Sequence, residues 1–124
     1  MGLWLVALEL IEEKPIFGYG IDNLLEQYIR LNKSEITSRP HNEYIQIAAT
    51  IGIPGLIYYL LFLLLLFFKV IFSIKKISYL EITAIFVSIT YLISAFFGVS
   101  IFNTTPYLYL FLGLIGSIFV KKVI

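Results

Sequence analysis

The chain has 124 residues, of which 60% are hydrophobic and 14% charged, and its net charge is +1. A soluble domain is roughly half apolar and a quarter charged, so this balance points to one small integral membrane unit. It excludes the strongly basic field that nucleic acid needs, and the absence of cysteine excludes disulfides, a thiolate nucleophile and a Cys-based metal site. The small net charge hides a split. Residues 1–50 hold seven acids against four bases, whereas residues 51–124 hold five lysines and a single acid, Glu81.

Residues 3–13 predict a helix with an apolar stripe through Trp4, Leu5, Leu8 and Ile11 or Glu12, and with glutamates gathered at its end. It is too short to cross a bilayer alone. Lys14-Pro15-Ile16-Phe17-Gly18-Tyr19-Gly20 breaks it, because proline stops a helix and glycine takes backbone angles that other residues resist. A second short helix is expected from Asp22, as N-cap, through Leu24, Leu25, Tyr28 and Ile29. Pro40 disfavours helix at Arg39, and Asn42 is placed to cap a new helix starting at Glu43.

From Gly52 to Phe68 the chain is uncharged and apolar, long enough for a first membrane span. A second span is expected near 82–102 and a third near 107–120, joined by an Asn103–Pro106 turn. Ser88, Thr90, Ser94, Gly98, Ser100, Gly113 and Gly116 suit close helix packing. Lys69, Lys75, Lys76, Lys121 and Lys122 then fall on one side, which the positive-inside rule assigns to the cytoplasm. The expected fold is all-α. A short external helical segment, residues 1–50, precedes a membrane domain, residues 51–124, with three transmembrane helices and a cytoplasmic C-terminus. Burying the external helices' apolar stripe needs lipid headgroups or further helices.

The chemistry gathers at the border between the two parts, in Ser38-Arg39-Pro40-His41-Asn42-Glu43-Tyr44. His41 is the one histidine in the chain, and its side-chain type titrates near neutrality, so it is the candidate general base. Arg39 and Arg30 are candidates to grip a phosphate or diphosphate. Tyr19, Tyr28 and Tyr44 offer flat faces for sugar rings, and are also ordinary interfacial residues. Gly52 and Gly55, with Pro54, mark a sharp entry into the membrane. A hydrogen-bonded interfacial histidine and headgroup-facing arginines satisfy the same pattern. One histidine without cysteine argues against zinc, and no glycine-rich phosphate loop precedes a Lys-Ser/Thr pair.

These motifs resemble a known family. His41-Asn42, nine residues, Gly52, two residues and Gly55 is similar to the hallmark of the O-antigen ligase and polysaccharide polymerase family of bacterial membrane proteins. Trp4, Ala7-Leu8 and then Pro15, Gly18 and Gly20 resemble that family's upstream stretch. The resemblance implies transfer of a glycan from an undecaprenyl-diphosphate carrier to an acceptor lipid or glycan, at the outer face of the cytoplasmic membrane. It implies that His41 activates the acceptor hydroxyl without metal or cofactor, that arginines bind the diphosphate, and that Asn42 and Tyr44 orient the substrate. The family's arginine shortly before the tryptophan has no counterpart here, and family members carry more spans. The chain therefore reads as a C-terminal portion, a fragment that holds half of an active site and is inactive without its N-terminal part. The competing reading is a small three-span membrane protein with a binding or structural role only. Nothing in the residues separates ligase from polymerase or names the sugar.

Overall fold

The computed structural model describes residues 2–31, 40–73, 77–98 and 104–120. All regular structure among them is helical: α1 (Leu3–Glu13), α2 (Leu24–Arg30), α3 (Glu43–Ser73), α4 (Tyr79–Ser94) and α5 (Thr105–Val120). They form two units. One comprises Met1–Tyr59 with Ala95–Val99, the other Leu60–Ser94 with Ser100–Ile124.

The first unit is built on α1 and α2. Val6, Ala7 and Leu10 of α1 pack with Leu24 and Tyr28 of α2 and with Ala49 of α3. The Tyr28 hydroxyl reaches back to donate to the Leu3 carbonyl at 3.2 Å, and burial pushes its pKa up to about 12. The buried face of α1 is not the expected one. Trp4, Leu5 and Leu8 point outward, while Val6, Ala7 and Leu10 point in. Because α1 is apolar on nearly every side, its periodicity cannot select a face. Leu10 is fully buried and Leu8 is 45% exposed. Leu10→Ala is therefore expected to cost about 2–5 kcal/mol through lost burial and a cavity, and Leu8→Ala little. Denaturation of the two variants in detergent measures the difference.

The start of α2 also differs from expectation. Asp22 takes a left-handed φ of 62°, and Asn23 precedes the helix instead, its amide donating to the Tyr19 carbonyl at 3.0 Å. Glu26 in the first turn and Arg30 in the last complement the helix dipole.

α3 starts where Asn42 caps it, as the sequence predicts, and it is broken at Gly52, whose φ of 84° and ψ of 169° are not helical. The break leaves backbone groups that must find partners. Pro54 has no N–H for the Thr50 carbonyl, and the Ile53 N–H turns away to the Pro15 carbonyl at 2.7 Å. The carbonyls of Ala49 and Thr50 are freed, and the N–H groups of Tyr19 and Gly20 donate to them at 2.9 and 2.8 Å. The Pro15–Gly20 loop thus completes the broken helix. α3 is the one helix among the described residues long and apolar enough to cross a membrane, over Glu43–Phe72, with mean hydropathy 2.5 in an 18-residue stretch of it.

In the second unit α4 and α5 pack on each other. α4 opens three residues earlier than the expected span because Ser78 and Glu81 form a capping box. The Ser78 N–H donates to Glu81 Oε2 at 2.7 Å, and the Glu81 N–H returns to Ser78 Oγ at 3.4 Å. Glu81, Ala84 and Ser88 are buried on α4, as are Leu108, Leu112, Ile115 and Ile118 on α5. Tyr91 and Thr105 hydroxyls meet at 2.9 Å. Ser88 lies in the packed face as expected. Thr90 and Ser94 instead bond back to carbonyls of their own helix, and Gly113 and Gly116 face open space. α4 and α5 have 16 residues each, a rise of about 24 Å against hydrocarbon about 30 Å thick. α4 ends at Ser94, inside the stretch expected to span, and residues 99–103 of that stretch lie outside the described residues.

Candidate functional site

His41 stands at the turn into α3. Its backbone is left-handed, with φ of 52°, and its side chain is exposed between two buried neighbours, Pro40 and Asn42. Such a conformation is uncommon outside glycine and persists where the surroundings hold it. Here they do. Asn42 Oδ1 accepts the Ile45 N–H at 3.0 Å as a true N-cap, and the Asn42 carbonyl accepts the Gln46 N–H at 3.0 Å. The next N–H, of buried Glu43, donates to the Ala95 carbonyl at 2.9 Å.

Residues just past α4 therefore support the start of α3. Phe96 lies 4.6 Å from the Tyr44 ring, and Tyr59 lies 6.4 Å from it on the other side of one α3 bend. Tyr44 is held in an aromatic cluster. The contribution of Ala95 and Phe96 had no sequence signal, because an alanine and a phenylalanine in an apolar run look like any other pair.

The helix that carries this turn is fixed at both ends. At its far end sits the Pro15–Gly20 loop, and two glycines make the contact possible. A Cβ on Gly52 would lie 2.0 Å from the Ile16 carbonyl oxygen, and one on Gly18 2.5 Å from the Thr50 carbonyl. The glycines of the upstream motif and of the His-Asn motif are two sides of one backbone contact. Gly20, with φ of 90°, meets only the Asn23 side chain, and Gly55 is helical and lies over Ile51.

The charged groups nominated by sequence are differently engaged. Arg39 lies outside the described residues. Arg30 pairs with Glu13 through Nη2 and with Gln27 through Nε at 2.9 Å. The Tyr19 hydroxyl donates to the same Glu13 carboxylate, and Lys14 Nζ sits 4.4 Å over the Tyr19 ring. The Tyr19 hydrogen bond, and then that of Arg30, hold Glu13 below the usual carboxylate range. Partial burial, and then the Glu13 carboxylate, push Tyr19 up, and Glu13 pushes Arg30 up. An anion bound by Arg30 must compete with Glu13. Glu13 is lowered by folding, so its contribution is present above the ordinary carboxylate range and lost as pH falls through the depressed folded value. The pair is exposed, so the effect is expected to be small and salt-screened. Acid titration of Glu13→Gln beside the parent chain, at low and high salt, checks both points.

No curated protein and no solved structure matches the chain significantly. The family model described as O-antigen ligase matches residues 1–60, the stretch that contains α1, the Pro15–Gly20 loop, α2, the His-Asn turn and the break at Gly52. Over its first 60 residues the chain is therefore similar to the O-antigen ligase family of bacterial membrane proteins.

Proposed function

We propose that this chain supplies the catalytic histidine of a lipid-linked glycan transferase. In this reading His41 accepts the proton of an acceptor hydroxyl as that oxygen attacks the anomeric carbon of the donor sugar. The bond from that carbon to the diphosphate oxygen breaks, the undecaprenyl diphosphate leaves with the electron pair, and the anomeric centre inverts. Arg39 and Arg30 neutralise the diphosphate, with Arg30 released from Glu13 to do so. Asn42 and Tyr44 orient the reacting groups through the backbone they hold. The observation that carries the reading is an exposed imidazole on a strained, doubly anchored turn, inside the segment that matches the family.

The same reading places residues 1–50 on the outer face of the cytoplasmic membrane. α4 and α5 become the second and third spans, and the five lysines of residues 51–124 lie on the cytoplasmic side. Trp4, Leu5 and Leu8, exposed on α1, are available to pack on further helices of the transferase, and the chain acts only with them. His41→Ala is the direct test, in cells whose surface glycan transfer depends on this chain. Transfer is expected to be lost while the protein accumulates in the membrane. Full transfer by that variant would remove the general-base role.

A further inference from the structure

The Pro15–Gly20 loop has a fixed backbone and a bare tip. Phe17 is 85% exposed and Ile16 60% exposed, although the loop is bonded to α3 at both sides of the helix break. Scattered apolar residues on a surface are ordinary, but a phenylalanine held outward by a rigid backbone next to an exposed isoleucine calls for an apolar partner. Its location names that partner. The Pro15 carbonyl takes the Ile53 N–H at 2.7 Å, and the Ile16 carbonyl covers Gly52. The tip is therefore seated at the first turn of the apolar part of α3, where Ile53, Ile57 and Tyr58 are also exposed.

The depth of that turn follows from length. From Ile53 to Phe72, the end of the candidate span, α3 rises about 30 Å at about 1.5 Å per residue, the thickness of the hydrocarbon core. With Phe72 set at the far edge, the near border between headgroups and hydrocarbon comes at Gly52–Ile53, level with the loop. Lys14, just before the loop, and Tyr19, within it, are amphipathic residues of the kind that favour that layer. We propose that Ile16–Phe17 is a membrane anchor that inserts into the bilayer beside the first turn of α3. It pins the Pro15–Gly20 loop, and through it the far end of the His41-bearing helix, at a set depth. The anchor does not depend on what His41 does.

The test uses the whole chain in phosphatidylcholine–phosphatidylglycerol vesicles. Trp4→Phe removes the native tryptophan, and Phe17→Trp or Tyr58→Trp introduces one reporter. Acyl chains brominated near the carbonyl or near the methyl end quench tryptophan by contact. Trp fluorescence of the Phe17→Trp variant is expected to be quenched, more by shallow than by deep bromines, as that of Tyr58→Trp shows that the helix is inserted. Absence of quenching at position 17 beside quenching at position 58 overturns the proposal. A blue-shifted but unquenched emission does so too, and assigns the tip to a protein neighbour or a second copy. Should circular dichroism show that Phe17→Trp misfolds, Ile16→Trp in the same background reads the same surface.

Discussion

Gly52→Ala is expected to unfasten the whole site. Gly52 has φ of 84° and ψ of 169°, a region open essentially to glycine, and forcing another residue there costs about 1–3 kcal/mol. The added methyl would also lie 2.0 Å from the Ile16 carbonyl oxygen and 3.0 Å from the Phe17 nitrogen. Backbone cannot yield as the end of a side chain can, so the loop must leave the helix. With it go the bonds from Tyr19 and Gly20 to the Ala49 and Thr50 carbonyls, which Pro54 cannot replace. The expected loss exceeds about 3 kcal/mol, a large share of a small domain's stability. Hydrogen exchange at the Tyr19 and Gly20 amides, together with denaturation in detergent, reads it directly. Gly18→Ala, whose methyl would also strike backbone, is expected to behave alike. Gly20→Ala, which meets only the end of Asn23, is expected to be milder, and Gly113→Ala or Gly116→Ala in open space neutral or better. Equal effects across this series would mean that the loop and the helix break are not joined as described.

That series rests on a contact which neither motif discloses alone. Local chemistry is written in nearby residues: the bounds of α1, the Asn42 cap and the stop at Pro15 all follow from the chain within a few positions. The Ser78 and Glu81 capping box has the same local character and explains why α4 begins before the first expected span residue. What local reading cannot supply is the meeting of Gly18 with Thr50, or of Ala95 with Glu43, across more than thirty residues of chain. Two clues to the first meeting were present, namely the glycines at 18, 20 and 52, which the structure gives positive φ, and a proline placed to starve the Thr50 carbonyl. The second had none. The face of α1 was equally hidden, since a helix apolar on most sides is oriented by its neighbours and not by its own pattern. Arg30 shows the complementary gap: the sequence shows that a guanidinium exists, but only the fold shows that Glu13 holds it.

The left-handed backbone at His41 makes the catalytic proposal separable from a structural one. A histidine kept only for its place in the turn would be replaced well by residues that accept φ of 52°, namely glycine, which pays no steric penalty, and asparagine, which tolerates the region. A histidine kept as a base would be replaced by neither. His41→Gly and His41→Asn are therefore expected to fold as well as the parent, with the Asn42 cap and the Glu43–Ala95 bond intact, and yet to lose glycan transfer by about 10²–10⁴-fold. That range corresponds to about 2.7–5.5 kcal/mol of transition-state stabilisation. His41→Ala adds the modest strain of a left-handed alanine to the same chemical loss, so it should match the other two in transfer and fall below them in stability. The ordering of three variants in two measurements thus carries the assignment. If His41→Gly and His41→Asn transfer normally while His41→Ala alone fails, the turn matters and the imidazole does not. If all three fail with a native fold, the imidazole is needed for transfer, which the anchored turn alone does not explain.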